Sequence, residues 1–209
     1  MKLFIFGQKS TAIEILEIAL SMSKYEMIYL VDDQQEKFND YHFITQKDIY
    51  KLSPKNIDEY INSPSGQKNR ENNQRLIQKL PFSATRIINK QSYISPSAKI
   101  GVDVYIAGNV SISSNVKVSN SSIINFNSVI GHDTMLHSNV VISPGVTIGG
   151  NCLIGERTFI GANSFIKQGT SIGNNVSIDA LTHIYKNIED ESICTSRNLK
   201  VFKKRIFSE

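Results

Sequence analysis

The chain has 209 residues, of which 40% are hydrophobic and 20% are charged, with a formal net charge of +4. This composition is that of a soluble, folded protein, and the length allows two small domains or one elongated domain. Its apolar runs are far shorter than the roughly 20 residues of a membrane span, and MKLFIFG is too short for a secretory signal peptide, so we expect a cytoplasmic protein without membrane insertion.

Other classes of protein are disfavoured by residue type. The two cysteines, Cys152 and Cys194, form neither a disulfide framework nor a zinc motif. The basic residues are not interleaved with aromatic ones in the way that is typical of nucleic-acid-binding proteins.

The first part of the chain, residues 1–90, predicts a Rossmann-like α/β domain. Its predicted elements, in chain order, are a buried strand (1–7), a helix (10–22) with Ser10 as its cap, a strand (25–33), a weaker strand (56–64), a helix (70–80) and a strand (84–90). Alternation of strand and helix favours a small parallel sheet, and ligands of such sheets bind beyond the carboxyl ends of the strands.

Polar residues follow the first two predicted strands and are candidates for a ligand site. They are Gly7, Lys9, Ser10, Thr11, Asp32 and Asp33. The turn reads GQKSTA and lacks the GxGxxG fingerprint, which argues against a dinucleotide cofactor. The acid pair could accept hydrogen bonds from a ribose or a base edge, or could merely solvate a turn.

A six-residue repeat runs through the second half of the chain. From Ile94 the sequence divides into sixteen consecutive hexads, ISPSAK to IYKNIE, whose first residue is Ile fourteen times. The fifth residue is small or β-branched in nearly every hexad. Period six fits neither a single helix nor a single strand, but it fits a short strand followed by a tight corner.

Three hexads would close one triangular coil of about 18 residues, with the first and fifth positions facing inward. Gly and Asn between them would supply the positive φ of the corners. The pattern predicts a left-handed parallel β-helix over residues 91–189, followed by a basic tail over residues 190–209. Cys152 falls at a fifth position and should be an inert, inward-facing filler.

Two histidines fall at outward positions of the repeat. His132 is third in its hexad and is followed by Asp133, whereas His137 is second in the next hexad. A zinc site needs three protein ligands, and the residue two coils before His132 is Pro96, so no metal is predicted. His132 with Asp133 instead fits a general base whose tautomer a carboxylate fixes. His137 and His183 are expected at the surface, at an interface or near a channel.

Gly150 lies eighteen residues after His132 and is therefore expected one coil further on the same edge. Because it has no side chain, its backbone is open to a ligand. We predict that its amide stabilises an oxyanion.

The segments FIFG, VDD, ISPSAKIG, VIGHD and ISPGVTIGGN together resemble one family. It is the sialic acid O-acetyltransferase-like family, which includes N-acetyltransferases of UDP- or GDP-linked 4-amino-4,6-dideoxy sugars. The resemblance implies His132 as the catalytic base, Asp133 as its partner, and a nucleotide site at Gly7–Thr11, Asp32 and Asp33. It also implies a homotrimer that binds acetyl-CoA between neighbouring β-helices. Coenzyme contacts are assigned to Gly150, Ala162 and Ala180.

The resulting hypothesis is an acetyl-CoA-dependent N-acetyltransferase of a nucleotide-linked amino sugar used in a surface glycan. Alternatives are an O-acetyltransferase of a sialic-acid-like sugar and a catalytically silent scaffold that binds sugar nucleotides. The basic residues of the tail could be solvated or could contact an anionic coenzyme; they are Arg197, Lys200, Lys203, Lys204 and Arg205.

Overall fold

The computed structural model describes residues 1–7, 9–33, 42–63 and 67–196, and for Lys9, Ser10 and Gln67 it describes the backbone alone. The predictions for the basic side chains of the tail lie outside the described residues. None of the described helices is both long enough and apolar enough to cross a membrane.

The chain begins with a short α/β unit built on a five-stranded parallel sheet. Its elements are β1 (Lys2–Phe6), α1 (Lys9–Ser21), β2 (Met27–Val31), β3 (Phe43–Ile44), a 3-10 helix (Asp48–Leu52), β4 (Glu59–Asn62), α2 (Gln67–Ile77) and β5 (Ser83–Ala84). The strand order is β3-β2-β1-β4-β5. Both predicted helices and the first three predicted strands of this unit are therefore present.

The central strand β1 explains why this sheet is covered on both sides. Leu3 and Ile5 pack with α1, whereas Phe4 and Phe6 pack on the opposite side with aromatic rings that include Phe82. All four side chains are fully buried. Alternate residues of a strand point to opposite faces, so an uninterrupted apolar run specifies a strand between two layers.

Three details of the front unit differ from the sequence-based expectation. α1 begins at Lys9, so Ser10 lies within the first turn rather than at the cap. β3 and the 3-10 helix were not predicted, because β3 has only two residues. The single strand expected over 84–90 is wrong: Thr85 divides it, since its N–H bonds to Tyr60 of the sheet while its carbonyl accepts from Asp103 of the next unit.

The rest of the described chain is a parallel β-helix of about six coils. Its strands are β6 (Arg86–Ile88), β7 (Tyr93–Ile94), β8 (Lys99–Ile100), β9 (Val104–Ile106), β10 (Ser111–Ile112), β11 (Lys117–Val118), β12 (Ile123–Ile124), β13 (Val129–Ile130), β14 (Met135–Leu136), β15 (Val141–Ile142), β16 (Thr147–Ile148), β17 (Leu153–Ile154), β18 (Phe159–Ile160), β19 (Phe165–Ile166), β20 (Ser171–Ile172), β21 (Ser177–Ile178), β22 (His183–Ile184) and β23 (Ile193–Cys194).

Every third strand belongs to the same sheet, so the helix is a prism with three faces. We call them the covered face (β6, β9, β12, β15, β18, β21, β23), the Val129 face (β7, β10, β13, β16, β19, β22) and the Met135 face (β8, β11, β14, β17, β20). In the regular coils each residue pairs with the residue eighteen positions later, as Ile112 does with Ile130. The predicted coil length is thereby confirmed.

The corners also follow the repeat. From Asp103 to Leu181 the fourth residue of each hexad has positive φ, and the non-glycine residues there lie between 55° and 62°. Asn tolerates this left-handed conformation better than most residues, which explains its frequency at the corners. Backbone geometry alone thus favours Asn, Asp or Gly at the corners, although Ser121, Arg157 and Leu181 adopt the same conformation.

The two inward positions fill the prism. First-position aliphatic side chains from Ile106 to Ile184 are at most 5% exposed. Fifth-position hydroxyls donate to the carbonyl fifteen residues later, in the pairs Ser128–Ser143, Thr134–Gly149, Thr158–Gly173 and Ser164–Asp179. Cys152 occupies such a position, 3% exposed, and its thiol contacts the Lys167 carbonyl at 3.3 Å. Its expected role as a buried filler is confirmed.

The repeat begins earlier than the sequence suggested and ends irregularly. Ile88 packs against the prism core, and Ser92 donates to the carbonyl of Ala107, so INKQSY behaves as one further hexad. At the other end Ser177 pairs with Ile193, which shortens the last coil to sixteen residues.

The front unit packs on the lower coils of the covered face. The apolar stripe of α1 at Ala12, Ile15, Leu16 and Ala19 shares one core with Tyr105, Ile123 and Val141. Because these three prism residues are buried by α1, the two units form one continuous body over these coils.

A buried Arg and Asp join the units at one corner. Arg70 of α2 donates to the carbonyls of Asn62 and Ser121, and Asp103 accepts from Asn62 N–H and Ser121 Oγ at 2.7 Å each. Burial raises the pKa of Asp103 to about 6, although the nearby Arg70 guanidinium opposes the shift.

Arg70→Ala should lower the free energy of unfolding by about 3 kcal/mol at pH 7, because it leaves the buried Asp103 carboxylate without its compensating charge. Denaturant unfolding measures this. A raised folded-state pKa of an acid gives stability that is lost as pH rises through that pKa, so the deficit should be smaller at pH 5. Arg75→Ala, an exposed arginine on the same helix, is the control and should change stability little. Equal effects of the two changes would contradict this role for Arg70.

Candidate active site

His132 and Asp133 lie at the corner between the Val129 face and the Met135 face. Backbone bonds hold this corner to its neighbours: Asp133 N–H donates to the Ser114 carbonyl, and Asn151 N–H donates to the His132 carbonyl at 2.7 Å. We call the stacked residues of three successive coils the histidine corner: Ser114, Asn115, His132, Asp133, Gly150 and Asn151.

The two side chains at the centre of this corner form a hydrogen-bonded pair. His132 Nδ1 and Asp133 Oδ2 are 2.8 Å apart, and both side chains are about half exposed, at 48% and 46%. The hydrogen bond from His132, followed by one from Asn115, lowers the pKa of Asp133. An ionised Asp133 accepts a hydrogen bond from Nδ1–H, which leaves Nε2 as a proton acceptor.

Gly150 provides the surface on which the imidazole rests. A Cβ atom at Gly150 would lie 2.5 Å from His132 Nε2 and 2.8 Å from Cδ2. Any larger residue would therefore displace the ring. The structure brings His132, Asp133 and Gly150 together, as the eighteen-residue spacing predicted.

Glycines at the second hexad position have a different explanation. At Gly131, Gly155 and Gly161 an added Cβ would come within 2.3 to 2.4 Å of the backbone of the next coil. They permit close stacking of coils and say nothing about a ligand. Gly150 differs because the atoms closest to an added Cβ belong to the His132 side chain and not to the backbone of a neighbouring coil.

The Gly150 N–H differs from the N–H groups at the same hexad position in other coils. The equivalent N–H groups of Val102 and Glu156 donate to Asn side-chain oxygens one coil further along. Gly150 has Gln168 at that place, and its N–H donates no hydrogen bond within the described residues. The geometry is that of an available donor beside a histidine.

The other histidines are separated from this pair. His137 follows β14 on the Met135 face, and His183 lies on the Val129 face in a cluster with Phe165 and Tyr185, with ring centroids 6.1 to 6.2 Å apart. Across the described ranges, no three His, Cys, Asp or Glu side chains are grouped in a way that could hold a metal ion.

The residues proposed for the front site meet at one edge of the small sheet. Phe6 pairs with Val31 and with Asn62, so Gly7, Asp32 and Ser63 come after three neighbouring strands. Gly7 has a φ of 137°, and its N–H donates to Val31. Thr11 lies in the first turns of α1, half-buried, whereas Lys9 and Ser10 are described by backbone alone.

The two acids at this edge differ in their surroundings. Asp33 is exposed, and its Oδ1 accepts from the Gln46 N–H at 2.9 Å. That contact stabilises the local turn, which is the second of the two roles considered for the acid pair. Asp32 is half-buried beside Gly7.

Ala162 and Ala180, assigned to coenzyme binding, lie at another corner. Both follow strands of the covered face, β18 and β21, and precede strands of the Val129 face. Within one chain they are separated from His132 and Gly150 by the full width of the Val129 face.

One neighbour of the pair was missed in the sequence. Asn115 Nδ2 donates to Asp133 Oδ1 at 3.0 Å. The sequence contained the information needed to find it, because Asn115 precedes Asp133 by eighteen residues, the length of one coil.

Comparison with known proteins identifies the class of repeat. The family described as bacterial transferase hexapeptide (six repeats) matches residues 133–168. No curated protein matches the sequence. The chain therefore contains the hexapeptide repeats of bacterial transferases, which confirms the resemblance for this class of repeat.

Solved structures match nearly the whole chain. The acetyltransferase domain of PglB from Neisseria gonorrhoeae, in complex with acetyl coenzyme A, is 24% identical with a TM-score of 0.84, over 92% of this chain and 94% of that one. PerB from Caulobacter crescentus, in complex with CoA and GDP-perosamine, is 19% identical with a TM-score of 0.83, over 92% and 93%. WeeI from Acinetobacter baumannii is 17% identical with a TM-score of 0.86, over 94% and 98%. These likenesses establish the fold, a left-handed β-helix with a short α/β start.

Gly150→Ala should displace the His132 ring and break its 2.8 Å contact with Asp133, since the added Cβ overlaps Nε2. A crystal structure of the variant measures this directly. Gly108→Ala is a matched control at the same hexad position, where an added Cβ has its nearest neighbour at 3.4 Å. An unchanged His132–Asp133 pair in Gly150→Ala would show that the His132 imidazole does not pack against Gly150.

Proposed function

We propose that the protein is an acetyl-CoA-dependent N-acetyltransferase that acts on the amino group of a nucleotide-linked 4-amino-4,6-dideoxy sugar. The observation that carries this proposal is the His132–Asp133 pair, with Nε2 placed over Gly150. The matched structures support it, since one is an acetyltransferase domain with acetyl coenzyme A and another contains CoA and GDP-perosamine.

In this proposal His132 is the general base. Nε2 takes the proton that the amine loses as its nitrogen attacks the thioester carbonyl, while Asp133 stabilises the imidazolium that forms. The new N–C bond forms as the C–S bond breaks, and His132 returns the proton to the departing sulfur. No acyl-enzyme is needed, because the pair has no Ser or Cys nucleophile beside it among the described contacts.

Gly150 would stabilise the charge that develops on the thioester oxygen. Its N–H donates no hydrogen bond among the described residues, and a Cβ at this residue would fall on the imidazole. A preorganised backbone donor of this kind lowers the barrier without having to reorganise during the reaction.

The front unit would bind the nucleotide in the manner of a Rossmann-like domain. Gly7, Lys9, Ser10 and Thr11 follow the first strand, and Asp32 and Asp33 follow the second, at the edge where parallel sheets bind ligands. We assign the stronger nucleotide contact to Asp32, because it is half-buried and lies next to Gly7 at the strand ends, whereas Asp33 is exposed.

The coenzyme contacts favour a homotrimer. Gly150 lies at one corner of the prism, whereas Ala162 and Ala180 lie at another, so one chain cannot place all three on one acetyl-CoA. In a trimer with clefts between prisms, Gly150 of one subunit would face Ala162 and Ala180 of the next. Exposed Val129 and Tyr185 supply apolar surface for that contact.

Thiol release from acetyl-CoA should occur with one member of a panel of UDP-, GDP- and dTDP-linked 4-amino-4,6-dideoxy sugars. His132→Ala should lower the rate by about a thousandfold, because it removes the base. His137→Ala is the matched control, five residues away and outside the histidine corner, and should retain the wild-type rate.

Other outcomes of this assay distinguish the alternatives. Full activity in His132→Ala would show that another group is the base. Turnover with a free sialic-acid-like sugar, and not with any sugar nucleotide, would replace the proposal with O-acetylation. Nucleotide binding without turnover would leave a silent scaffold.

Asp32→Asn should weaken binding of the preferred nucleoside diphosphate about tenfold, as expected for loss of one charge-assisted hydrogen bond. Calorimetric titration of the purified protein measures this affinity. Asp33→Asn is the comparison, and its binding should change less. The reverse order would assign the contact to Asp33.

A further inference from the structure

We propose that Asn115 is a positioning residue that fixes the Asp133 carboxylate so that His132 presents Nε2 to the substrate amine. This inference rests on the proposed function. Asn115 lies one coil below the pair and does not contact His132 through any described hydrogen bond.

The contact holds both oxygens of the carboxylate. Asp133 Oδ1 accepts from Asn115 Nδ2 at 3.0 Å, and Asp133 Oδ2 faces His132 Nδ1 at 2.8 Å. Because the Asp133 side chain is 46% exposed, packing alone does not hold it. The amide of Asn115 supplies the second anchor that stops the carboxylate from rotating.

Asn115 is itself held from the coil below. Its backbone N–H donates to Ser97 Oγ at 3.0 Å, and Ser97 Oγ contacts Ser95 Oγ at 3.1 Å. Ser97, Asn115 and Asp133 occupy the same corner in three successive coils. The position of Asp133 beside His132 therefore depends on contacts with residues in the two coils below.

Backbone geometry explains an Asn at this position but does not explain the contact. Asn109, Asn127 and Asn139 also occupy corners with positive φ, between 57° and 62°. Among the fourth-position asparagines of the described chain, Asn115 is the one whose amide donates to a carboxylate. Asn174, which donates to Asp190, is at a third position. Its side chain therefore has a role beyond that of the repeat.

The charges around the His132–Asp133 pair show why the hydrogen bond from the Asn115 amide matters. Asn115 and His132 both lower the pKa of Asp133 by bonding to its charged form. The corner residues above the pair, Gly150, Asn151 and Gln168, are uncharged. The flanking strands carry Ser111, Val129 and Thr147 on one face and Lys117, Met135 and Leu153 on the other. Charged groups of the described chain in this stack include Lys117 and the exposed Lys167, which precedes Gln168.

The first test removes the amide without straining the corner. Glycine accepts positive φ, so Asn115→Gly keeps the backbone while deleting the donor. We expect kcat to fall about tenfold, with the KM for acetyl-CoA changed less than about twofold, because the loss affects the transition state alone. Asn127→Gly is the matched control, at an exposed corner with the same φ of 58°, and should keep the wild-type kcat.

The second test replaces the donor with a charge. Asn115→Asp retains the shape of the side chain and places a second carboxylate beside Asp133. Two carboxylates favour the imidazolium, so the acidic limb of the kcat/KM profile should move up by about one pH unit. Asn127→Asp should leave the profile unchanged.

A readout without turnover separates this inference from the proposed function. Nitrogen NMR of the His132 imidazole reports which ring nitrogen carries the proton and the midpoint of its titration, whether or not a substrate is known. Asn115→Gly should weaken the preference for Nδ1–H, and Asn115→Asp should raise the midpoint. Imidazole signals equal to wild type in both variants would overturn the positioning role, even if His132 is the base.

Discussion

The closure of each coil in eighteen residues is the constraint on which the rest of the structure depends. It places side chains that are far apart in the sequence in vertical contact, with strand pairs such as Ile112–Ile130 setting the register. The same register stacks Asp133 on Asn115 and Gly150 on His132, in two neighbouring columns of one corner. The site is thus a direct product of the repeat: its residues are substitutions at corner positions that the fold must fill in any case. The chemistry requires no special loop and no departure from the coil.

This constraint explains how much could be predicted from the sequence. The prism, its inward positions, the fate of Cys152 and the proximity of His132 to Gly150 follow from counting along the repeat. Asn115 follows from the same count. Ala162 and Ala180 do not share the corner of His132, because their distance from it in the sequence is not a multiple of one coil. The front unit has no repeat from which contacts between distant residues could be predicted. β3 has two residues, and the division of the strand at Thr85 depends on bonds to Tyr60 and Asp103 that are distant in the sequence.

The joint between the two units relates the two proposed ligand sites. α1 covers Tyr105, Ile123 and Val141, so the front unit sits against one prism face and leaves the histidine corner open to solvent. The buried Arg70 and Asp103 fix α2 to the corner at Ser121. In the proposed function, a substrate held at the carboxyl edge of the front sheet would therefore be presented in a fixed orientation relative to the prism. Orientation of this kind accounts for a large part of enzymatic rate enhancement.

The sixteen-residue last coil has a consequence for self-association. A stack of identical coils ends in unpaired backbone groups, and such an edge invites another chain to add on in the same register. Here the pairing of Ser177 with Ile193 and the bridge from Ile172 to Ile188 depart from the repeat. Asp190 accepts from the Asn174 N–H at 2.7 Å, which occupies a donor that the regular pattern leaves pointing outward. The shortened coil is out of register with the eighteen-residue coils of the described prism, and a mismatch of this kind disfavours edge-to-edge addition of a second prism.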